Sequence, residues 1–200
     1  SKLKDNTIVI FVSDHGWQMG EKEYLYKNSP WDESTRIPFI IRAPHLSKPN
    51  TEVEHAVSLI DVFPTLKELC NLKGETKKNS NVANLDGYSL APFLKNENTK
   101  KWKGPNGALT VLGAGINKPV EGVGFSSNPG ALWHIQITKD LEPSYVQQQN
   151  YSYRTADWRY ILYKNGKEEL YDIKKDPKEW VNLAENAKYS KIKKSLNKEM

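Results

Sequence analysis

Asp14 and His15 are adjacent, Gly16 follows at once, and Lys27 comes thirteen positions after Asp14. A hard carboxylate beside an imidazole is a donor pair for a divalent cation, and the glycine permits a tight turn. Side chains adjacent on an extended strand point to opposite faces, so Asp14 and His15 share one ion only if the backbone bends at this point. A compact ammonium with three donors, such as that of Lys27, suits an oxyanion. Each residue also has a plainer role open to it. Asp14 would cap a helix opening near Trp17, His15 would be a hydrogen-bonded histidine, and Lys27, followed by Asn28-Ser29-Pro30, would be a solvated lysine in a turn. His45, His55 and His134 sit in no recognisable motif and read as surface or supporting histidines. His134, beside Trp133, is the one to test first for a role in the site.

The element that must position this group is the run Thr7–Val12, apolar or β-branched throughout. So uniform a run predicts a strand buried on both faces of a parallel sheet. In open α/β sheets ligands gather at the carboxyl ends of strands, which is where Asp14 and His15 fall. A second short buried strand is expected within Arg36–Arg42, with Pro38 near its entry. Asp61-Val62-Phe63-Pro64-Thr65-Leu66 reads as a helix start capped by Asp61, with Leu59, Ile60, Phe63, Leu66 and Leu69 facing the sheet. Cys70 closes that apolar pattern and reads as a buried structural thiol. As a single cysteine it excludes an internal disulfide and a cysteine metal cluster.

Ser13-Asp14-His15-Gly16-Trp17, then Gly20-Glu21, Lys27 and the stretch Ser34–Pro44 (S-T-R-I-P-F-I-I-R-A-P), resemble the second metal-binding segment of the sulfatase family. That family lies within the alkaline-phosphatase-like superfamily, and the Asp-His pair followed by tryptophan is most like its iduronate-2-sulfatase-like branch. The similarity extends to D-x-F-P-T-L at Asp61, to L-D-G-x-S-L-x-P-x-L from Leu85 to Leu94, and to the closing L-Y-D-x-x-x-D-P-x-E-x-x-N-L from Leu170 to Leu183. It is weakest between Gly104 and Tyr151.

The resemblance implies an α/β fold: the C-terminal part of an alkaline-phosphatase-like sandwich, a mixed sheet flanked by helices, followed by a small antiparallel sheet with a C-terminal helix. It further implies hydrolysis of a sulfuric ester on a sulfated carbohydrate. Asp14 and His15 would be metal ligands, for calcium or alternatively magnesium, and Lys27 would contact the sulfate. Trp17 and His134 are substrate-side candidates, and Tyr24 and Tyr26 also offer faces on which a sugar can stack. The family's N-terminal aspartate pair and its formylglycine motif do not occur in these residues, and Cys70-Asn71-Leu72-Lys73-Gly74 does not match that motif. The expectation is therefore a fragment or processed product, with the nucleophile in an N-terminal portion as partner and a secreted or periplasmic location. Two other readings stay open: a phosphohydrolase or phosphotransferase of the same superfamily, and a non-catalytic remnant or glycan-binding module.

The 200 residues carry a formal net charge of +5, with 38% hydrophobic and 26% charged residues, a soluble globular composition. The excess lysines at 77–78, 100–101 and 188–198 are interspersed with Asn, Ser or Glu, and no nucleic-acid-binding motif accompanies them. No apolar stretch approaches the roughly 20 residues of a membrane span, and no signal peptide is present. Lys95–Gly107 is the best boundary, giving domains 1–104 and 105–200. In the second, strands are expected at Ala108–Leu112, Tyr151–Thr155, Trp158–Lys164 and Glu168–Ile173, the last two joined by the hairpin signal Asn165-Gly166. The glycine-rich 113–130 reads as a loop near substrate and Ala184–Lys198 as a surface helix. Arg154 and Arg159 read as structural ion-pair partners, and Asp172, Asp176 and Glu179 as turn and capping residues.

Overall fold

The computed structural model describes residues 2–74, 84–112 and 149–200. The expected loop 113–130, and His134 with it, lie outside the described residues.

Strand β1 (Val9–Val12) pairs with β4 (Phe39–Arg42), Val9 opposite Arg42 and Val12 opposite Phe39. The pairing is antiparallel, and Val9, Phe11 and Val12 are 50%, 61% and 39% exposed. Both findings correct the parallel, doubly buried strand expected there. The chain returns to β4 through a short hairpin, β2 (Gln18–Met19) with β3 (Leu25–Tyr26), and a single helical turn α1 (Asp32–Thr35). That return contains no long crossover helix of the kind parallel neighbours require. Uniform apolarity marks a strand that needs cover; it does not say from which direction its neighbour runs.

Helix α2 (Val62–Leu69) is entered through a 3-10 turn at Leu59–Asp61. The cap is Ser58, with Asp61 completing a capping box by accepting from the Ser58 amide at 2.9 Å. The other Asp61 carboxylate oxygen accepts from the Tyr88 amide at 2.8 Å, and Thr65 Oγ1 accepts from the Leu90 amide at 2.8 Å. These bonds seat the entry to α3 (Ala91–Lys95) against α2. Leu59, Ile60 and Phe63 are exposed, however, while Thr65 is fully buried. The apolar side expected to face a sheet is thus largely uncovered by the described residues. Cys70 ends this helix exposed, which corrects the buried-thiol reading.

Four antiparallel strands form the second sheet in the order β5 (Ala108–Leu112), β6 (Asn150–Arg154), β7 (Trp158–Leu162) and β8 (Glu168–Asp172). Each lies within a residue or two of its expected place. Gly166, at φ +79°, closes the β7–β8 turn, a conformation that glycine adopts without cost. One face carries Tyr153, Tyr160 and Leu170, which pack with Ala184 and with Leu196 of α4 (Ser190–Glu199). Burying each of these large side chains contributes about 1.5–3 kcal/mol. The alternate residues Ser152, Arg159, Ile161 and Tyr171 are buried too. Their face meets the segment between β3 and α1, through Pro30 and Trp31, and the first residue of α1, Asp32.

Candidate metal and oxyanion site

Beyond β1 the ladder ends with the Ser13 amide donating to Pro38 O at 3.3 Å, and the chain then turns. Ser13 Oγ donates to His15 O at 2.9 Å, and the His15 amide donates to Asp14 Oδ1 at 3.1 Å. The Gly16 amide donates to Ser34 O at 2.9 Å, pinning the turn to α1. A Cβ at position 16 would stand 2.1 Å from Glu33 O and 2.6 Å from Arg36 O, so only glycine allows α1 this close. This is the bend the Asp-His pair requires. It leaves Asp14 Oδ2 3.6 Å from His15 Nε2, the two side chains on the same side of the turn.

His15 Nδ1 lies 2.8 Å from Gly16 O, a bond it makes only as N–H donor. That fixes the tautomer in which Nε2 carries the free lone pair. Lys27 Nζ stands 3.2 Å from this Nε2. Asp14, His15 and Lys27 therefore converge across the twelve residues separating the last two. Asp14 caps no helix: the turn runs on to Gln18 and β2, and the first helical turn after it is the 3-10 turn Glu21–Glu23. The Asp14 side chain is 83% exposed. A hard oxygen and an oriented imidazole nitrogen fit part of a divalent-ion donor set. Calcium takes about 6–8 oxygen-rich contacts, and no group of three or more His, Cys, Asp or Glu that could by itself hold a metal ion occurs among the described residues.

Trp17 borders the group, its ring centroid 6.1 Å from His15 and 5.8 Å from Tyr26 in an edge-on contact. Tyr24 instead turns to the backbone, its hydroxyl donating to Asn28 O at 2.8 Å. The remaining described histidines bond elsewhere. His45 Nε2 lies 3.1 Å from Asp5 O, and His55 Nε2 lies 3.0 Å from Pro105 O in an aromatic nest with Phe93 and Trp102.

Behind the site lies a buried ionic group, of which the sequence showed only part. Arg159 pairs with Asp32 and with Glu179, both at 2.5 Å, and Arg154 reaches Asp32 at 3.4 Å. Both arginines are ion-pair partners, as expected. Glu179 is not a mere capping residue: it is 1% exposed and its second oxygen accepts from the Asp32 amide at 3.0 Å. Asp172 and Asp176 do serve turns, accepting from the amides of Lys175 at 3.2 Å and Val181 at 2.8 Å. Burial works to raise the Asp32 carboxyl, but the guanidiniums of Arg159, Arg154 and Arg36 outweigh it and hold the pKa below its ordinary value. Glu179 shares Arg159 yet moves the other way, because burial outweighs one guanidinium. The near-complete burial of Gln18 and Ser34 had no signal beyond their place inside the motif.

Residues 1–72 match the sulfatase family profile. Over 193 residues the chain is 33% identical to a Δ4,5-hexuronate-2-O-sulfatase of Bacteroides thetaiotaomicron, covering 94% of this chain and 32% of that protein. A crystal structure of a sulfatase from Bacteroides thetaiotaomicron superposes with a TM-score of 0.68 at 29% identity, covering 99% of this chain and 36% of that one. The phosphonate monoester hydrolase of Agrobacterium radiobacter matches as well, with a TM-score of 0.68 at 26% identity over 97% of this chain and 34% of that one. The matched region of the hexuronate sulfatase is about a third of its length. Together with the Asp14–His15–Lys27 geometry, these matches make the chain similar to sulfatases over nearly its whole length, while it spans about a third of each relative it matches.

Proposed function

We propose that this chain supplies part of the metal and sulfate site of a hydrolase that cleaves sulfuric esters on a sulfated carbohydrate. The carrying observation is the convergence of Lys27 Nζ on His15 Nε2 at 3.2 Å beside the open Asp14 carboxylate. Asp14 and His15 would hold a calcium or magnesium ion, which when bound supplies positive charge to the sulfate oxygens. The Gly16 carbonyl keeps the His15 imidazole in the ligating tautomer. Lys27 directs an ammonium at the same anion, where it strengthens as the oxygens gain charge. Trp17 offers an exposed ring for a sugar face. The formylglycine nucleophile belongs to a segment outside these residues, the N-terminal portion of the enzyme, and His134 remains a candidate substrate contact. A secreted or periplasmic location completes the proposal. Among the described residues no helix is long and apolar enough to cross a membrane.

The similarity to a phosphonate monoester hydrolase favours one rival, a phosphorus ester as substrate. Initial rates on a 2-O-sulfated uronic acid and on an aryl phosphonate, before and after chelation and calcium readdition, separate the two. Faster, calcium-restored sulfate release is expected from the complete protein. Preference for the phosphonate, or sulfate release indifferent to chelation, would reject the proposal.

A further inference from the structure

We infer that Arg159, on β7 of the C-terminal sheet, is a positioning residue for Lys27, acting through Pro30, Asp32 and Ser34. The inference deepens the proposed function and rests on it. The Arg159 side chain is 1% exposed and each of its three nitrogens is engaged. Its Nη1 donates to Pro30 O at 3.1 Å and to Ser152 Oγ at 2.7 Å, its Nη2 to Asp32 Oδ1 at 2.5 Å, and its Nε to Glu179 Oε1 at 2.5 Å. Ser152 Oγ donates to the same Pro30 carbonyl at 2.7 Å, Glu179 Oε2 accepts from the Asp32 amide at 3.0 Å, and Trp31 Nε1 donates to Glu169 at 2.8 Å. Three consecutive residues just after Lys27 are thus held by the sheet through main chain and side chain together.

From α1 the hold passes to both sides of the site. Ser34, 4% exposed, accepts from Ser29 Oγ at 2.7 Å and donates to Tyr26 O at 3.4 Å, the residue before Lys27. Its own carbonyl accepts from the amide of Gly16, the residue after His15. Lys27 itself is exposed, so its backbone must be placed by its neighbours. A buried group of this kind is weak evidence for stability, because desolvating the ions offsets much of their attraction. What it supplies is one fixed geometry, and the planar fork of arginine, with five donors, spans partners that a lysine cannot hold together.

The test compares Lys27→Ala, Arg159→Lys and the double variant in the complete protein, with melting temperature recorded for each. Arg159→Lys keeps the buried charge and loses the fork, and kcat/KM is expected to fall about tenfold to a hundredfold from misplacement alone. If it acts through Lys27, the double variant is no slower than Lys27→Ala. Should Arg159→Lys not fold, Ser34→Ala replaces it under the same criterion. Wild-type turnover in the positioning variant, or losses that multiply in the double variant, would overturn the inference while leaving the proposed site intact. Full activity in Lys27→Ala would instead remove the proposed site, and the inference would fall with it.

Discussion

At the scale of the residue, the grouping of Asp14, His15 and Lys27 was legible through the motif that carries the sulfatase resemblance, and the three side chains do converge. The partners that hold the site were not. Asp32 and Arg159 are 127 positions apart and Asp32 and Glu179 are 147 apart, and nothing local to any of them names the others. Gly16 shows how a single side-chain hydrogen serves both purposes. In Gly16→Ala the added methyl meets two backbone carbonyls of the α1 turn and its exit, which cannot rotate away. The expected cost is about 1–3 kcal/mol, as for overpacking elsewhere. Denaturant unfolding measures it. An unchanged midpoint would mean that α1 does not press on the Asp14–Gly16 turn.

At the scale of the element, β5 to β8 were readable because β-branched and aromatic runs are punctuated by an Asn-Gly turn. The β1 run was read as a strand but not as an antiparallel one, since apolarity reports burial need and not direction. Likewise the apolar spacing before Cys70 marked a helix face without saying whether the described chain covers it. Helix α4 docks on the sheet through tyrosines. Tyr160 OH donates to Glu168 at 2.6 Å and accepts from Asn197 at 2.7 Å, while Tyr153 OH donates to Glu199 at 3.4 Å. Burial first, then the neighbouring carboxylates, pushes Tyr153 and Tyr160 each up to about 12. Because the folded values lie above the ordinary 10.0, the stability these phenols contribute is complete below pH 10.0 and is lost as pH rises through about 12. The phenolate absorbance lost in Tyr153→Phe and in Tyr160→Phe, followed alongside circular dichroism, should place each ionisation near pH 12. Ionisation of either group near pH 10.0 in the folded chain would contradict this docking.

At the scale of the whole molecule, strands β6 to β8 carry buried residues on both faces of the C-terminal sheet, while β1, β4 and the entry to α2 leave Phe11, Ile40, Ile60 and Phe63 about half exposed or more. Large uncovered apolar surface rarely persists on a monomer. Under the proposal it packs against the portion that carries the nucleophile, so these 200 residues alone are expected to bind a hydrophobic dye or self-associate. A dye-inert monomer with a cooperative melt would count against that. Metal binding should follow the same division. With Asp14 and His15 as the proposed donors among the described residues, this chain alone should take calcium feebly by calorimetry, and tight binding untouched by Asp14→Asn would refute the shared site. The central claim is that Lys27 acts on the sulfate and not on the fold. In the complete protein, sulfate release from a sulfated sugar and thermal melting are to be measured together for wild type and Lys27→Ala. A loss of about 2–4 kcal/mol of transition-state stabilisation is expected, as for removal of an oxyanion donor, with an unchanged melting temperature. Normal turnover, or a loss matched by unfolding, would contradict the claim.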